Sequence, residues 1–236
     1  MNTSKKKIVL LSSSLAGGGS ESVCVSIANS FADKGWQVDL VVLNLKNETY
    51  LNRLSKNINL VVLNVNHARY CFLPLLKYIY KENPKIALVF NYELSAILVM
   101  LRLSLKLKIK IISRNNNTMS IKLEEFDDLN FWSRNIVKPL IKYFYKKIDH
   151  VVNQCHDMQK DLIALYPELN KNSSVIFNPL PAHIQEYATN HDLSLIKKEN
   201  YLLCVGRLEK QKSFHYIIEA FAGIVNKFPK LRLKIV

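Results

Sequence analysis

The sequence has few cysteines and histidines, and it lacks the spacings that disulfide frameworks and zinc sites need. Its 236 residues include four cysteines and six histidines, all widely scattered and without a Cys-x-x-Cys pair. Zinc sites and disulfide-rich domains depend on closely spaced cysteine or histidine residues. We therefore expect free thiols in a reducing compartment and no metal site.

The sequence also lacks a hydrophobic run that could cross a membrane. Its most apolar segment, residues 94–112, carries one arginine and three lysines, whereas a spanning helix needs about 20 nearly uncharged residues. The first apolar run reaches polar serines after a few residues, unlike a signal peptide. These absences predict a cytoplasmic protein without a transmembrane helix.

Acidic residues are scarce relative to basic ones. The chain has 33 lysines and arginines against 19 acidic residues, a formal net charge of +14. Such a charge favours anionic partners such as nucleotides, nucleic acid or lipid head groups, although a lysine-rich genomic composition would also produce it. No recognition helix, aromatic RNA-binding strand pair or zinc module accompanies the charge, so we predict no nucleic-acid partner.

Short apolar runs rich in valine, isoleucine and leucine recur along the chain, and each is typical of a strand buried on both faces. They are residues 7–13, 38–44, 58–64, 85–91, 109–115, 150–154 and 174–179. Segments with helical spacing lie between most of them, which predicts an α/β fold with a parallel sheet. Several runs end in a polar residue, namely Asn44, Asn64, Asn91, Arg114 and Asn178. Ligands of parallel sheets bind beyond the carboxyl ends of the strands, so these residues predict the edge of a site.

The pattern predicts two units. Residues 1–182 hold the seven apolar runs, and residues 183–199 are polar and non-periodic, as in an interdomain linker. Residues 200–236 begin a second strand, loop, helix and strand. Parallel strands need helices on both faces and neighbouring strands, so this short unit cannot close a core by itself. We therefore expect the second domain to be truncated.

Three consecutive glycines, Gly17 to Gly19, follow the first predicted strand, where a phosphate-binding loop would lie. A dinucleotide fingerprint would need glycine in place of Ser22, and a Walker loop would need Gly-Lys-Ser/Thr, so both are excluded. A helix that begins near Ser20 would place Glu21 in its first turn, where its carboxylate would repel phosphate. The loop is either a tight turn or a place where a neutral polar ligand, such as a sugar, approaches the backbone.

A second loop, residues 204–214, has features of an anion site. Gly206 ends a predicted strand, Arg207 and Lys212 lie across the loop, and a helix begins near Ser213. Helix N-termini attract phosphate, and two cations add charge-assisted hydrogen bonds. This loop is either a phosphate site or a solvated basic turn.

Residues 130–149 interleave aromatic and basic side chains. They include Trp132, Tyr143, Phe144 and Tyr145 among Arg134, Lys138, Lys142, Lys146 and Lys147. We expect Pro139 to interrupt the helix and to disfavour helical geometry at Lys138, so that only Lys142 and Lys146 share a face. The segment either rests on an anionic bilayer or is an ordinary helix with its aromatic residues in the core.

Together these segments resemble the retaining glycosyltransferases of the GT-B fold, family 4 type. The resemblance runs over nearly the whole chain and rests on GGSESVCVSIANSFADKGWQVDLVVLN, IISRNN, YKKIDHVVNQCHDMQKDL and VIFNPL. Its most specific part is YLLCVGRLEKQKSFHYIIEAFAGIVNKFPKLRLKIV. The resemblance implies an α/β fold of GT-B type, with a complete N-terminal Rossmann-like domain and the first strand, helix and strand of a second.

The resemblance also implies a function and a site. The function is transfer of a sugar, with retention, from a nucleotide sugar to a cell-surface glycan or lipid-linked acceptor, as in lipopolysaccharide, capsule or exopolysaccharide assembly. Gly206, Arg207 and Lys212 would bind the donor diphosphate, with neither a metal nor another cofactor. The acceptor side of the cleft would contain Gly18, Gly19, Glu21, Arg114 and Asn178.

The chain departs from the family pattern in ways that limit these expectations. Ser213 replaces a glycine, Cys155 replaces a serine, and the Glu-x7-Glu segment that contacts the donor is absent. The catalytic residues, donor sugar, acceptor and linkage are therefore not predicted. The alternative to an active enzyme is an incomplete fragment, or an acceptor-binding subunit whose donor domain comes from a partner chain. In the enzyme interpretation, a polyprenol-linked acceptor would bring the protein to the inner face of the cytoplasmic membrane.

Overall fold

The computed structural model describes residues 6–46, 49–195, 198–209 and 212–236, apart from the side chains of Ala182, His183 and Leu193. It divides into two compact units between Leu180 and Pro181. Each unit is built on its own parallel sheet.

The first unit alternates strands and helices, as the sequence predicts. Its strands are β1 (Lys7–Ser12), β2 (Gln37–Val42), β3 (Asn59–Val62), β4 (Ile86–Val89), β5 (Lys110–Arg114), β6 (His150–Asn153) and β7 (Ser173–Val175). Its α-helices are α1 (Gly19–Asp33), α2 (Phe72–Glu82), α3 (Tyr92–Leu105), α4 (Met119–Glu125), α5 (Lys138–Tyr145) and α6 (His156–Leu165). Shorter turns are 3-10 helices at Leu51–Arg53, Ala68–Tyr70 and Pro167–Asn172 and a π-helix at Ser133–Val137. Across the described residues, no helix is both long and apolar enough to span a bilayer.

All seven strands form one parallel sheet in the order β3-β2-β1-β4-β5-β6-β7, which confirms the predicted α/β class. The order changes direction at β1, which pairs with β2 on one side and with β4 on the other. In open parallel sheets, ligands bind at this switch point, beyond the carboxyl ends of the strands. The glycine-rich loop follows β1 directly and therefore lies at this position.

Helices cover both faces of the central strands, because side chains alternate between the two faces of a strand. On β1, Val9 and Leu11 pack in one core layer, whereas Ile8 and Leu10 pack in the other. The prediction that every strand is buried on both faces is wrong for β3 and β7, whose residues are exposed or half-buried. These two strands form the edges of the sheet, where a neighbouring strand is present on one side only.

Helix α1 begins at Gly19, close to the predicted start near Ser20. Gly18 is its N-cap, and Ser20 lies inside the first turn. As the N-cap, Gly18 has an extended backbone and makes no side-chain hydrogen bond to the helix. As predicted, Glu21 lies in the first turn, where a carboxylate complements the helix dipole.

The prediction that Pro139 interrupts its helix is wrong. Lys138 has helical angles, with φ −58° and ψ −49°, and Pro139 lies in the first turn of α5. The π-helix Ser133–Val137 directly precedes it. A π turn is wider than an α turn, which gives the proline ring room beside the preceding carbonyl groups. As a result, Lys138 joins Lys142 and Lys146 along one groove.

The second unit contains α7 (Ala182–Asn190), β8 (Tyr201–Cys204), α8 (Phe214–Ile224) and β9 (Arg232–Ile235), with a 3-10 turn at Leu193–Leu195. Strands β8 and β9 pair in parallel, as expected for a strand, helix and strand unit. The stretch predicted as a non-periodic linker, residues 183–199, instead includes most of α7. From residue 184 to 190 this helix is exposed all round, and its large apolar side chains in that range, Ile184 and Tyr187, are too few to establish a helical period.

A buried ionic cluster fastens α2 to the sheet. The carboxylate of Asp39 on β2 is fully buried and accepts hydrogen bonds from the Tyr78 hydroxyl at 2.6 Å and the Asn59 amide at 3.1 Å. The ammonium of Lys7 lies 2.9 Å from Asp39 and 2.8 Å from Glu82. Burial alone would raise the pKa of Asp39, but these three donors together hold that pKa below its ordinary value.

Candidate active site

The glycine-rich loop at the switch point is shaped by contacts within residues 14–21. The Ser14 hydroxyl donates to the Glu21 carboxylate at 3.4 Å, and the backbone N–H of Gly18 donates to the carbonyl of Ala16. The Glu21 side chain lies so close to Gly18 that a Cβ atom there would collide with its carboxylate. Glu21 therefore bends back over the loop that precedes its own helix.

The three glycines have different surroundings, and only Gly17 has a backbone angle that favours glycine. Gly17 has φ +28°, a conformation that residues with a side chain rarely adopt. Gly18 has an ordinary backbone, and a Cβ atom there would meet only the flexible end of the Glu21 side chain, which can move aside. A Cβ atom on Gly19 would meet no described atom within 4 Å, so packing does not require glycine there. The backbone at Gly19 is instead open to the approach of a ligand.

This difference predicts unequal effects of alanine at Gly17 and Gly19. We expect Gly17→Ala to lower the free energy of unfolding by about 1 kcal/mol, because the left-handed region disfavours a side chain by about that amount. Gly19→Ala should leave stability unchanged or raise it by up to about 1 kcal/mol, because alanine favours helix. Chemical denaturation of both variants measures the difference. Equal destabilisation would contradict this interpretation of the loop.

The carboxyl ends of β5, β6 and β7 are joined through Arg114. Its guanidinium donates to the Asn178 side chain at 2.6 Å and to the carbonyl of Ile176 at 3.4 Å. The Asn178 amide donates to Gln154 at 3.0 Å, and Gln154 donates in turn to the carbonyl of Asn115 at 2.8 Å. The sequence prediction thus placed two true neighbours, Arg114 and Asn178, at one edge of the sheet, but it missed Gln154 between them.

Arg114 is a buried cation without a carboxylate partner in the part of the chain that the structure describes. Only 2% of the residue is exposed, and its Nε atom has no hydrogen-bond partner there. Burial lowers the pKa of this guanidinium below its ordinary value. A buried charge without a partner lowers the stability of a fold. We therefore expect such a charge where it positions other polar groups or binds an anion.

A chain of hydroxyl groups supports this edge from within the core. Ser113 on β5 lies 2.9 Å from the hydroxyl of Ser95 and 3.0 Å from that of Tyr145. The Tyr145 hydroxyl also donates to the side chain of Asn115. These contacts hold Asn115, the residue that follows Arg114, in position. Because the hydroxyl groups hydrogen-bond to one another, they are tolerated in the core.

Other polar ends of strands have local structural roles. The Asn91 side chain caps α3 by accepting from the backbone N–H groups of Glu93 and Leu94. Asn44 donates to the carbonyl of Val65, and Asn64 adopts φ 57°, a conformation that asparagine tolerates. These positions belong to the predicted edge but are explained without a ligand.

Glu93 is a titratable residue near the switch point that the sequence prediction missed. It lies in the first turn of α3, the helix that follows β4. Burial raises the pKa of its carboxyl above the ordinary value, although Tyr92 and Lys122 partly oppose that shift. A single glutamate in a helical segment carries no motif, so only its position in the fold reveals it.

The basic loop of the second unit follows β8. The Arg207 guanidinium lies 3.0 Å from the carboxylate of Glu209, and both side chains are solvent-exposed. Lys212 and the ring of Phe214 lie against Gly206, where they would surround a Cβ atom at 3.4–3.6 Å. Helix α8 begins at Phe214, which agrees with the predicted start near Ser213, and Ser213 is its N-cap. Arg207 and Lys212 are thus accessible cations before a helix N-terminus, and Glu209 is a nearby carboxylate that the sequence prediction overlooked.

Among residues 6–46, 49–195, 198–209 and 212–236, no three histidine, cysteine or acidic side chains lie close enough together to hold a metal ion. All four cysteines are free thiols, and Cys24 and Cys71 are buried. Burial raises the pKa of both buried thiols above the ordinary value.

Comparison with known proteins points to one family. The family model described as Glycosyltransferase Family 4 matches residues 17–182, a range that includes the glycine loop, Arg114 and Asn178. An uncharacterized glycosyltransferase of Methanocaldococcus jannaschii is 22% identical over 132 residues, which cover 52% of this chain and 32% of that protein. The basic loop of the second unit lies outside the range of the family match.

Solved structures share the fold. HepE of Anabaena, determined in complex with UDP and glucose, superposes with a TM-score of 0.64 at 14% identity over 98% of this chain. The lipopolysaccharide outer core galactosyltransferase WaaB superposes with a TM-score of 0.62 at 15% identity over 97% of this chain. This chain spans 60% of the length of each. The likeness confirms the predicted α/β fold of GT-B type.

Proposed function

Because the chain belongs to glycosyltransferase family 4, we propose that it takes part in transferring a sugar, with retention, from a nucleotide sugar to a cell-surface glycan or lipid-linked acceptor. The observation that carries this proposal is the family match across residues 17–182, a range that includes the glycine-rich loop at the switch point of the sheet. HepE was solved with UDP and glucose, and WaaB is named a galactosyltransferase. A UDP-hexose is therefore the first donor class to test, and a lipopolysaccharide glycan is the first acceptor class.

The first unit would supply the acceptor side of the site. The open backbone at Gly19 allows a polar ligand such as a sugar to come close. Gly18 and Glu21 would form one wall of the same cleft, since the carboxylate lies over the loop. Arg114 would act as a positioning residue, because its hydrogen bonds hold Asn178 and the segment after β7.

The second unit would supply the start of the donor side. As the sugar departs, negative charge grows on the diphosphate oxygens. Arg207 and Lys212 would stabilise this charge without a metal or cofactor, since fixed cations lower the energy of a transition state that gains negative charge. Arg207 must first exchange its exposed contact with Glu209 for the diphosphate. Gly206 would keep the backbone beside these cations free of a side chain.

A second role rests on the position of the family match, which lies almost entirely within the first unit, the proposed acceptor side. The donor site would then be completed by residues of another polypeptide. In that case the chain would bind the acceptor and would need a donor-domain partner for activity.

The test is release of UDP and transfer of labelled sugar by the purified chain. UDP-glucose and UDP-galactose would each be incubated with lipopolysaccharide cores and with polyprenol-linked glycans, and UDP binding would be measured separately by calorimetry. Transfer by the chain alone supports the enzyme proposal. Acceptor binding without UDP binding, with transfer restored by a co-expressed donor-domain chain, supports the second role. Absence of transfer, UDP binding and acceptor binding overturns both proposals.

A further inference from the structure

The helical segment that leads into and includes α5 has an unusually apolar outer face. Its large exposed side chains, here called the α5 stripe, are Phe131, Trp132, Ile136, Leu140 and Tyr143. Phe131 is 74% exposed and Trp132 is 61% exposed. Trp132, Ile136 and Leu140 recur every four residues, so they follow one face of the helix. A face of this kind marks a surface that contacts something less polar than water.

The opposite face of the same helix is already used by the core. Ile141 and Tyr145 are buried, and Tyr145 hydrogen-bonds to Ser113 and Asn115. The helix is therefore held firmly and cannot turn to bury its stripe within its own unit. A helix that is apolar on both faces normally has a second apolar environment beside it, whereas a helix that faces water is polar on that side.

A basic groove runs beside the stripe. It has a volume of about 460 Å³ and is lined by Lys138, Pro139, Lys142, Tyr143, Lys146, Leu165, Tyr166 and Glu168. The buried hydroxyl of Tyr166 has no hydrogen-bond partner among the described residues. Lys138 lies 2.6 Å from Asp127, while the ammonium of Lys146 lies over the Tyr143 ring at 5.6 Å. The groove thus combines apolar side chains with three lysines and one carboxylate, Glu168, and of the three lysines Lys138 is already paired with Asp127.

Charge complementarity identifies the occupant. Residues 129–148 contain five basic residues and no acidic residue. We propose that the α5 stripe and the basic groove form a docking surface for an anionic lipid bilayer. The stripe enters the interface, where tryptophan and tyrosine are favoured, and the lysines hold lipid phosphate groups. Duplex nucleic acid would match the lysines but would leave isoleucine, leucine and phenylalanine side chains facing phosphate. This inference does not depend on the proposed sugar transfer.

The test is sedimentation of the full chain with vesicles of phosphatidylcholine, with and without phosphatidylglycerol. We expect binding that requires phosphatidylglycerol and weakens with salt. The variant Lys142→Glu/Lys146→Glu should bind about 20-fold more weakly or worse, because each basic residue at an anionic surface contributes roughly a factor of five. Its matched control is Lys56→Glu/Lys160→Glu, which changes the net charge equally at exposed lysines elsewhere. The control should lose no more than about twofold.

The stripe is tested by a second pair of variants. Phe131→Ser/Trp132→Ser should weaken binding by tenfold or more, since burial of an aromatic side chain contributes about 2 kcal/mol. Leu73→Ser, which removes a 71% exposed leucine from α2, should leave binding unchanged. Both variants lie on the surface, and their thermal unfolding is compared with that of the parent chain to verify folding.

Trp132 also reports directly on insertion, because the chain has only two tryptophans. In a Trp36→Phe background, its emission should shift to shorter wavelength with phosphatidylglycerol vesicles, and it should become protected from iodide quenching. Unchanged emission, or equal binding by both lysine variants, overturns the proposal. Binding to duplex DNA with loss in Lys142→Glu/Lys146→Glu, but no binding to vesicles, also overturns it and assigns the groove to nucleic acid. These assays contain no sugar donor, so their outcome is separate from that of the transferase assay.

Discussion

Replacing Arg207 and Lys212 together with alanine is expected to lower the rate of sugar transfer by about a thousandfold or more. Loss of a single fixed donor that faces developing negative charge costs roughly 100- to 1,000-fold in rate. The double change removes two exposed cations from the loop that precedes α8. The rate of UDP release at saturating acceptor is the measurement, made with the preparation that transfers sugar. The thermal unfolding of the variant should match that of the parent, because neither side chain is buried.

Two controls separate this role from general charge. Lys230→Ala removes an exposed lysine from the same unit, so it should leave the rate unchanged. Glu209→Gln removes the carboxylate that lies 3.0 Å from Arg207. Because exposed ion pairs contribute up to about 1 kcal/mol, the donor KM should fall by up to about fivefold. If the double alanine variant keeps more than a tenth of the parental rate, Arg207 and Lys212 do not act in the donor site.

The fold was largely predictable because its central strands are short, apolar and separated by helical periods. The prediction was wrong at β3 and β7, where burial depends on the number of neighbouring strands and not on the residues of the strand itself. It also missed α7, whose large apolar residues are too few to establish a helical period. The prediction for Pro139 was wrong because a π turn precedes α5 and makes room for the proline ring. The sequence pattern does not indicate such a turn.

The candidate site was predictable only where a polar residue at the end of an apolar strand indicates the edge of a site. Arg114 and Asn178 were both placed correctly at the carboxyl edge, although β6 lies between their strands. Gln154, which connects to Asn178, was not identified because glutamine in a loop is unremarkable in sequence. The different surroundings of Gly17, Gly18 and Gly19 depend on a backbone angle and on the path of Glu21, which only coordinates reveal.

Replacing Asp39 with alanine is expected to lower the free energy of unfolding by about 3 kcal/mol, the largest single effect on stability that we predict. Removing one partner of a buried ion pair costs about 3–5 kcal/mol, because the remaining groups lose their compensation. Here Tyr78 would lose its acceptor, and Lys7 would keep only Glu82. The value is taken at the low end of the range because the Lys7 side chain is 20% exposed and can recruit water. Chemical denaturation at neutral pH measures it.

The pH dependence of that difference distinguishes the loss of a charge from the loss of packing. Because the folded pKa of Asp39 lies below its ordinary value of about 4, the stabilisation by its carboxylate is complete above that ordinary value. It is then lost as the pH falls through the lower, folded pKa. The stabilities of the parent and of Asp39→Ala should therefore converge in acid, whereas Asp157→Ala, at a 90% exposed side chain, should differ little from the parent at any pH. A difference that stays constant down to strongly acidic pH would mean that Asp39 stabilises the sheet through packing, and that its contacts with Lys7 and Tyr78 contribute little.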